Sequence, residues 1–398
     1  MDKTQTSDEI VSILDDIFKD RKGNIALHEP NLSGNEWKYV KECLDSGWVS
    51  SVGSYVDRFE RDLASFTESP YAVAVVNGTA ALHISLLIAG VQPNDEVLIP
   101  SLTFVATANA VTYCGAIPHL VDISRDTLGL DPQKLSDYLR EISLIKQDGF
   151  LYNRLTGRRI IAVVPMHTFG HPVDLESLLD VCEFYRLNLV EDAAESLGSY
   201  YKGKHTGTFG QIAALSFNGN KIVTTGGGGA ILTNNPKWAK RAKHLTTTAK
   251  VPHRWLFNHD EAGYNYRLPN LNAALGCAQL EQLPEFLYMK RKLAGLYNER
   301  LSQVKGISFV SEPQFTNSNY WLNAIRLSES NLELRDSILE KTNDIGIMTR
   351  PTWTAMHNLE IYKNCPKMSL EVTEEIEGSL INIPSSPSLL NFFKMGSE

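Results

Sequence analysis

Basic residues are in short supply: 38 Lys and Arg stand against 46 Asp and Glu, a formal net charge of −8. A phosphate polymer needs a basic face, so non-specific nucleic-acid binding is excluded, although one small anion can still be held in a local pocket. Long apolar runs are missing too. None approaches the roughly 20 residues that span a bilayer. The opening MDKTQTSDEIVSILDDIF is polar and acidic, without the basic-then-apolar order of a signal peptide. Together these features read as a cytoplasmic chain. Cysteine is sparse: Cys43, Cys114, Cys182, Cys277 and Cys365 are scattered, odd in number and outside any CxxC or Cys/His cluster. Reduced thiols are expected, and no metal site. No GxGxxG opens a helix after a strand and no GxxxxGK[ST] occurs, so the glycine run 226–229 is not read as a nucleotide loop.

What the chain does have is ordinary globular material: 398 residues, 43% hydrophobic and 21% charged. That length predicts one large domain and a smaller one. Residues 7–20 read as a short amphipathic helix, and Ser33 with Glu36 has the form of a capping box that starts another. Apolar strands then alternate with helices. YAVAVV (71–76) precedes NGTAALHISLLIAG, EVLIP (96–100) precedes SLTFVATANAVTYCG, and IPHLVDI, IIAVVPM (160–166) and LNLVEDAAE follow with DLESLLDVCEFYR among them. Such alternation predicts βαβ units on a mostly parallel sheet. A strand- and glycine-rich stretch comes after residue 210, then a long helical pattern able to bridge two domains. The remainder, ISFV, YWLNAIRL and GIMTR around NLELRDSILEKTND, reads as a small α+β unit, and the tail after Pro387 carries little information. The expected division is an N-terminal helical extension (1–24), a large α/β domain (25–275), and a linking helix with a small C-terminal α+β domain (276–398).

Several chemically useful groups fall where strands end. Gly78 and Thr79 lie between a strand and a helix, where first-turn N–H groups can hold an anion. Phe104 follows the next strand and could lie flat on a ring. Asp192 ends LNLVED, at the strand edge where α/β proteins place ligands. Ser216 and Lys221 stand five apart in LSFNGNKIVTTGGGG, between an apolar strand and a glycine run. Burial there would favour a neutral, nucleophilic amine. Each also has a plain reading: a turn glycine, a core aromatic, a helix-capping carboxylate, a solvated turn lysine. Glu191 and Glu195 read as structural or rim groups. Jointly, an amine, a carboxylate, anion donors and a flat aromatic are what pyridoxal 5'-phosphate (PLP) requires of a protein.

NGTAALHISLL, PSLTFVATANAV, VEDAAESLG, SFNGNKIVTTGGGGAILTNN and GYNYRLPNLNAALG, in that order, resemble the motifs of the DegT/DnrJ/EryC1/StrS aminotransferases. The likeness runs from about residue 25 to 390. It implies a fold-type-I PLP-dependent transferase, with a mostly parallel sheet of the seven-stranded type and a small α+β domain. It implies Lys221 as the catalytic, cofactor-bearing lysine, Asp192 on the pyridine nitrogen and Phe104 on the ring. Gly78, Thr79 and Ser216 would surround the phosphate. Asn265 would reach the phosphate from the neighbouring subunit, making the active unit a homodimer. Two departures touch the surroundings of the lysine: Asn77 where many members have Ser, and Gly227 where many have Glu. LHEPNLSGNEWKYVKECLDSGWVSSVGSYVDRFE and TRPTWTAMHNL look most like the branch that makes legionaminic acid and bacillosamine precursors.

The implied reaction is transamination of a nucleotide-linked 4-keto-6-deoxy sugar, for this branch a UDP-linked 2-acetamido-2,6-dideoxy-4-hexulose with a GDP-linked one as the variant, and L-glutamate as donor. His28, Trp48, Ser50, Arg350, Trp353 and His357 are candidates for the sugar-nucleotide pocket, each equally readable as capping or packing. A sugar dehydratase is the rival enzyme, but family relatives with that chemistry carry His at the position of Lys221. A PLP-binding regulatory protein is the rival of another class, and it would need neither Lys221 nor Asp192. Lys221→Ala should therefore leave the protein without covalently held cofactor. Borohydride reduction followed by peptide mass spectrometry checks this, and a trapped adduct on another lysine would overturn the assignment.

Overall fold

The computed structural model describes residues 3–394. The chain opens with α1 (Lys3–Ile17), α2 (Glu36–Ser46) and α3 (Ser54–Thr67). The alternating region follows: β1 (Tyr71–Val75), α4 (Gly78–Ile88), β2 (Glu96–Pro100), α5 (Val105–Tyr113), β3 (Ile117–Val121) and α6 (Pro132–Ile142). Short strands β4 (Ser143–Ile145) and β5 (Leu151–Asn153) lead to β6 (Arg159–Val163), α7 (Leu175–Tyr185) and β7 (Asn188–Asp192). Then come β8 (Tyr200–Tyr201), β9 (Lys204–His205), β10 (Ile212–Ser216), β11 (Gly229–Thr233), α8 (Pro236–Thr246) and α9 (Asn270–Leu301). The C-terminal part holds β12 (Ile307–Phe309), β13 (Thr316–Asn317), β14 (Asn323–Leu327), α10 (Leu332–Asp344), β15 (Arg350–Pro351), α11 (Glu371–Ser379), β16 (Leu380–Ile383) and α12 (Leu390–Lys394).

The large sheet runs β1-β11-β10-β7-β6-β2-β3, with β5 added on β6 and β4 on β5. The β10, β7, β6, β2 and β3 pairings are parallel, and β11 is antiparallel to both its neighbours. Consequently β1, β2, β7 and β10 all end at the same edge. Period-two alternation sorts the sheet's side chains to two faces. Val73, Val75, Ile212 and Ala214 pack with α4, α5 and α8, while Ala74, Ala213 and Leu215 pack with α2, α3 and α9. Farther along the same face, Leu98, Val121, Val163 and Leu189 meet α6 and α7. This mostly parallel sheet flanked by helices on both faces is the architecture the sequence led one to expect.

A second, antiparallel sheet, β12-β14-β16-β15, lies in the C-terminal part. Its core collects Ile325 and Ile381 from the strands, Ile338 from α10, Tyr297 from α9, and Ile10 and Leu14 from α1. Helix α1, expected over residues 7–20, occupies 3–17 and is built into this core. Phe18 meets Phe392 edge-on at 5.4 Å and Tyr297 meets Phe393 at 5.6 Å, so the tail is also packed through Phe393. Helix α9 spans both regions: Ala274, Cys277 and Leu283 join the large-sheet core, and Leu293, Tyr297 and Leu301 join the small one. The division expected at residue 275 thus falls inside one continuous helix. The expected Ser33 cap does not form. Asn35 is the N-cap of α2, the Ser33 hydroxyl donates to Gln282, and Glu36 accepts from Gly34 N at 2.7 Å. The reason is tertiary: buried Glu36 also accepts from Gln279 and Gln282 of α9, at 2.7 and 2.6 Å, and that drew the start of the helix. Strand character expected in GIMTR is confined to Arg350–Pro351, with Ile347 bridging Ile25 alone.

Because Leu14 is fully buried among these groups, Leu14→Ala should destabilise the protein by about 2–5 kcal/mol through lost burial and the cavity left behind. Equilibrium denaturation measures it, and a loss below about 1 kcal/mol would show that α1 is only loosely docked.

Candidate active site

A cavity of about 370 Å³ opens at the shared edge where β1, β2, β7 and β10 end. Each strand delivers lining residues at or just after its end, as parallel α/β sheets do with ligand sites. After β1 come Asn77, Gly78 and Thr79. The Asn77 side chain caps α4 by accepting from Ala80 N at 2.7 Å, and the N–H groups of Gly78 and Thr79 lie at the open end of the helix. Gly78 is required there by close approach: a Cβ would stand 2.9 Å from the Ser216 Cβ, whose hydroxyl lines the same corner. Gly229 is required too, since its Cβ would lie 2.5 Å from the Asn77 carbonyl carbon. Gly227, by contrast, faces open space, so the departure at this position leaves room unfilled and strains nothing.

Asp192 ends β7 almost fully buried. Its Oδ2 accepts from Thr107 Oγ1 at 2.7 Å and its Oδ1 from Ala194 N at 3.2 Å. Burial pushes its carboxyl above the usual range, and the Thr107 and Ala194 bonds and the Lys221 charge pull it back. One residue earlier, Glu191 is wholly structural. It accepts the N–H groups of Gly207, Phe209 and Gly210 at 2.6 to 2.8 Å and pairs with His167 at 3.1 Å. Phe104 stands at the start of α5, about half exposed, its ring 6.2 Å from that of Trp353.

Lys221 sits in the loop between β10 and β11, with its side chain 12% exposed. That loop is wound around one carbonyl: Thr225 N, Thr224 Oγ1 and Thr225 Oγ1 all donate to Phe217 O. The Lys221 amine lies 3.2 Å from Glu195 Oε1 and 3.8 Å from the centroid of the Trp321 ring. Trp321 is fixed in turn, its Nε1 donating to Asn220 O at 2.7 Å. Glu195 was expected to be a structural or rim group. The structure corrects this: its side chain is buried, lines the cavity and is hydrogen-bonded to the lysine amine. Burial pushes its carboxyl up to about 7, against the opposing charge of Lys221 and the Phe169 N–H bond at 2.9 Å.

Of the sequence candidates, Gly78, Thr79, Phe104, Asp192, Ser216 and Lys221 thus come together, and Trp353 joins them. Asn265 does not line this cavity. It is exposed, bridged to Thr247, and 3.5 Å from the Arg267 guanidinium. Trp48 lines a separate groove with Tyr55 and Asn270. The Ser50 carbonyl accepts from Asn270 N at 2.7 Å, and Arg350 bonds Asn343 and Thr349. His357 Nδ1 meets Ser101 Oγ at 2.8 Å, and burial holds its ring below the usual pKa. His28 is half-buried with both ring nitrogens out of solvent and unbonded, and its pKa is depressed by burial and by the charges of Lys290 and Lys221. Sequence reasoning missed Glu195, Trp321 and Thr107. Glu195 carries a signal, three residues past Asp192 in the same strand-end turn; Trp321, a hundred residues from Lys221, carries none.

The site fits PLP on its donor set. It offers an amine in a cavity, a buried carboxylate, an open helix N-terminus beside a hydroxyl, and an aromatic face. Bound there, the cofactor supplies an electron sink for carbanion chemistry.

Comparison with known proteins agrees with this. The model of the DegT/DnrJ/EryC1/StrS aminotransferase family matches residues 30–391. A GDP-perosamine synthase of Escherichia coli O157:H7 is 37% identical over 369 residues, 92% of this chain and 94% of that protein. A protein of Bacillus subtilis described as a putative pyridoxal phosphate-dependent aminotransferase, EpsN, is 36% identical over 85% of this chain and 84% of its own. Among solved structures, the aminotransferase TlmJ from Streptoalloteichus hindustanus superposes with a TM-score of 0.82 at 28% identity, covering 94% of this chain and 99% of that one.

Proposed function

The chain belongs to the DegT/DnrJ/EryC1/StrS aminotransferase family and is a PLP-dependent sugar aminotransferase; from that premise we propose that it aminates a nucleotide-linked 4-keto-6-deoxy sugar at C4, with L-glutamate as donor. The observation that carries this reading is the position of the Lys221 amine. It lies inside a strand-edge cavity, bonded to one buried carboxylate and within the field of another. In this reading Lys221 carries the cofactor and moves a proton at the reacting carbon. Asp192, held by Thr107 and Ala194, would be the partner of the pyridine nitrogen, its charge keeping a proton there. Gly78 and Thr79 N–H groups and the Ser216 hydroxyl take the phosphate, and Phe104 covers the ring.

For the acceptor we favour a UDP-linked 2-acetamido-2,6-dideoxy-4-hexulose, because of the legionaminic acid- and bacillosamine-like motifs. The relatives called GDP-perosamine synthase make a GDP-linked 4-keto sugar the competing choice. Incubating the purified enzyme with glutamate and a panel of UDP- and GDP-linked 4-keto sugars, and following 2-oxoglutarate release, decides between them. Turnover at least tenfold faster on the UDP-linked acetamido sugar is expected. Preference for a GDP-linked sugar would replace the acceptor, and no turnover on any 4-keto sugar would overturn the reading.

The working unit is proposed to be a homodimer. Asn265 is exposed and outside its own chain's cavity, which is where a residue completing a partner's phosphate site would stand. Mixing Lys221→Ala with Asn265→Ala chains should restore activity after subunit exchange, since one of the two hybrid sites is then intact. No recovery between two separately impaired parents, or an active species with the mass of one chain, would defeat the shared site.

A further inference from the structure

A buried lysine meant to attack a carbonyl carbon must first lose its proton, and the cavity offers few places for that proton to go. Asp192 has both oxygens engaged, by Thr107 and Ala194. His167 is held between Glu191 and the Val173 N–H. His28 approaches from the N-terminal segment but is bonded to nothing. Lys290, the other cation near His28, gives its protons to the carbonyls of Trp321 and Ser385 at 3.1 and 2.6 Å. Among the described residues, Glu195 alone is a carboxylate hydrogen-bonded to the Lys221 amine.

Its geometry divides its two oxygens between two tasks. Oε2 accepts the Phe169 N–H at 2.9 Å, which fixes the plane of the group. The backbone is pinned as well, since Asn319 Nδ2 donates to Glu195 O at 2.8 Å. Oε1 is left to Lys221 and the cavity. The result is a rigidly held carboxyl with one oxygen committed to the amine.

We propose that Glu195 is the proton partner of Lys221 and thus a catalytic residue, one proton being shared between Oε1 and Nζ. As the amine is readied for attack, an N–H bond breaks and an O–H bond forms on Glu195; when the amine is released again, the proton returns. No electrons are exchanged and no further reactant is needed. A neutral amide at this position would keep the Phe169 bond and lose the exchange. The charged and titratable groups around the pair are Asp192 from β7, His28 from the N-terminal segment with Lys290 of α9 behind it, and His167 beyond Asp192. Asp192 opposes ionisation of Glu195 and Lys221 favours it, so the charge on Glu195 is set by both neighbours.

The inference rests on the reading of Lys221 as the cofactor-bearing lysine, and its first test needs no cofactor. In the cofactor-free chain labelled with ¹³C-glutamate, the Glu195 δ-carboxyl resonance, assigned by its loss in Glu195→Gln or Glu195→Asp, is followed against pH. A midpoint at about 7 is expected, moving higher still in Lys221→Met, where the cation that favours the carboxylate is gone. An ordinary carboxylate midpoint, or one that ignores Lys221→Met, overturns the proposal. In the cofactor-loaded enzyme, Glu195→Gln should lower kcat by about 10²-fold or more, in the range of lost acid–base catalysis. KM for the donor should change little, and Glu195→Asp should recover part of the loss. An unaltered kcat in Glu195→Gln also overturns it. Failure of the wild-type chain to hold cofactor on Lys221 is a different result, and it strikes the reading of the enzyme rather than this pair.

Discussion

Everything about this molecule that bears on chemistry depends on keeping one amine and two carboxyls out of water at a single edge of a sheet. Charges taken from water cost several kcal/mol each unless neighbours replace what the solvent gave. Here the replacements are specific. Asp192 has Thr107 and the Ala194 N–H, Glu195 has the Phe169 N–H, and Lys221 has Glu195 and the face of Trp321. None of these partners belongs to the element that carries the group it satisfies, and only Ala194, two residues past β7, is its near neighbour in the chain. The cluster therefore exists only in the assembled fold.

The sheet supplies the first half of that assembly. Parallel strands bring their C-terminal ends to one edge, and the right side chain at each end suffices to gather Gly78, Phe104, Asp192 and Ser216 from across more than a hundred residues. Helix α9 supplies the second half by running from one core into the other. Its Lys290, buried without an acid, donates to Trp321 O and Ser385 O and so ties the approach to the small sheet onto the helix. Burial drives the Lys290 amine well below its usual pKa, consistent with a tie made by hydrogen bonds to carbonyls instead of by an ion pair. Trp321 is thereby held beneath Lys221, and the C-terminal region becomes a wall of the site. Helix α1 reinforces the same region from outside the stretch matched by the family model.

How much of this was legible beforehand varied with the range of the interactions. Strand EVLIP was located to the residue, and β1, β6, β7 and α7 to within a few, because buried parallel strands advertise themselves as apolar runs between helices. The Ser33–Glu36 pair was read as a local cap and was wrong for a tertiary reason, Glu36 being claimed by Gln279 and Gln282 of α9. In the site, Gly78, Thr79, Phe104, Asp192, Ser216 and Lys221, all embedded in ordered motifs, line one cavity, whereas Asn265 and five of the six isolated guesses for the sugar pocket do not line it. Glu195 was underrated because a glutamate near a strand end is as often a rim group. What makes it otherwise, a bond to Lys221, spans 26 residues and two loops.

The sequence by itself determined the class of fold and, through motifs that resemble the family's, pointed to Lys221 and Asp192 as the lysine and strand-end aspartate proposed for the site. These follow from periodicity and from motifs whose residues are neighbours in the chain. Only the tertiary structure decided which groups surround the lysine, Glu195 and Trp321 from beyond α9, and that Asn265 lies exposed outside its own chain's cavity. The physical reason is that burial and hydrogen bonding between distant segments are properties of the packed cores, and no local pattern encodes which side chain will be left without solvent.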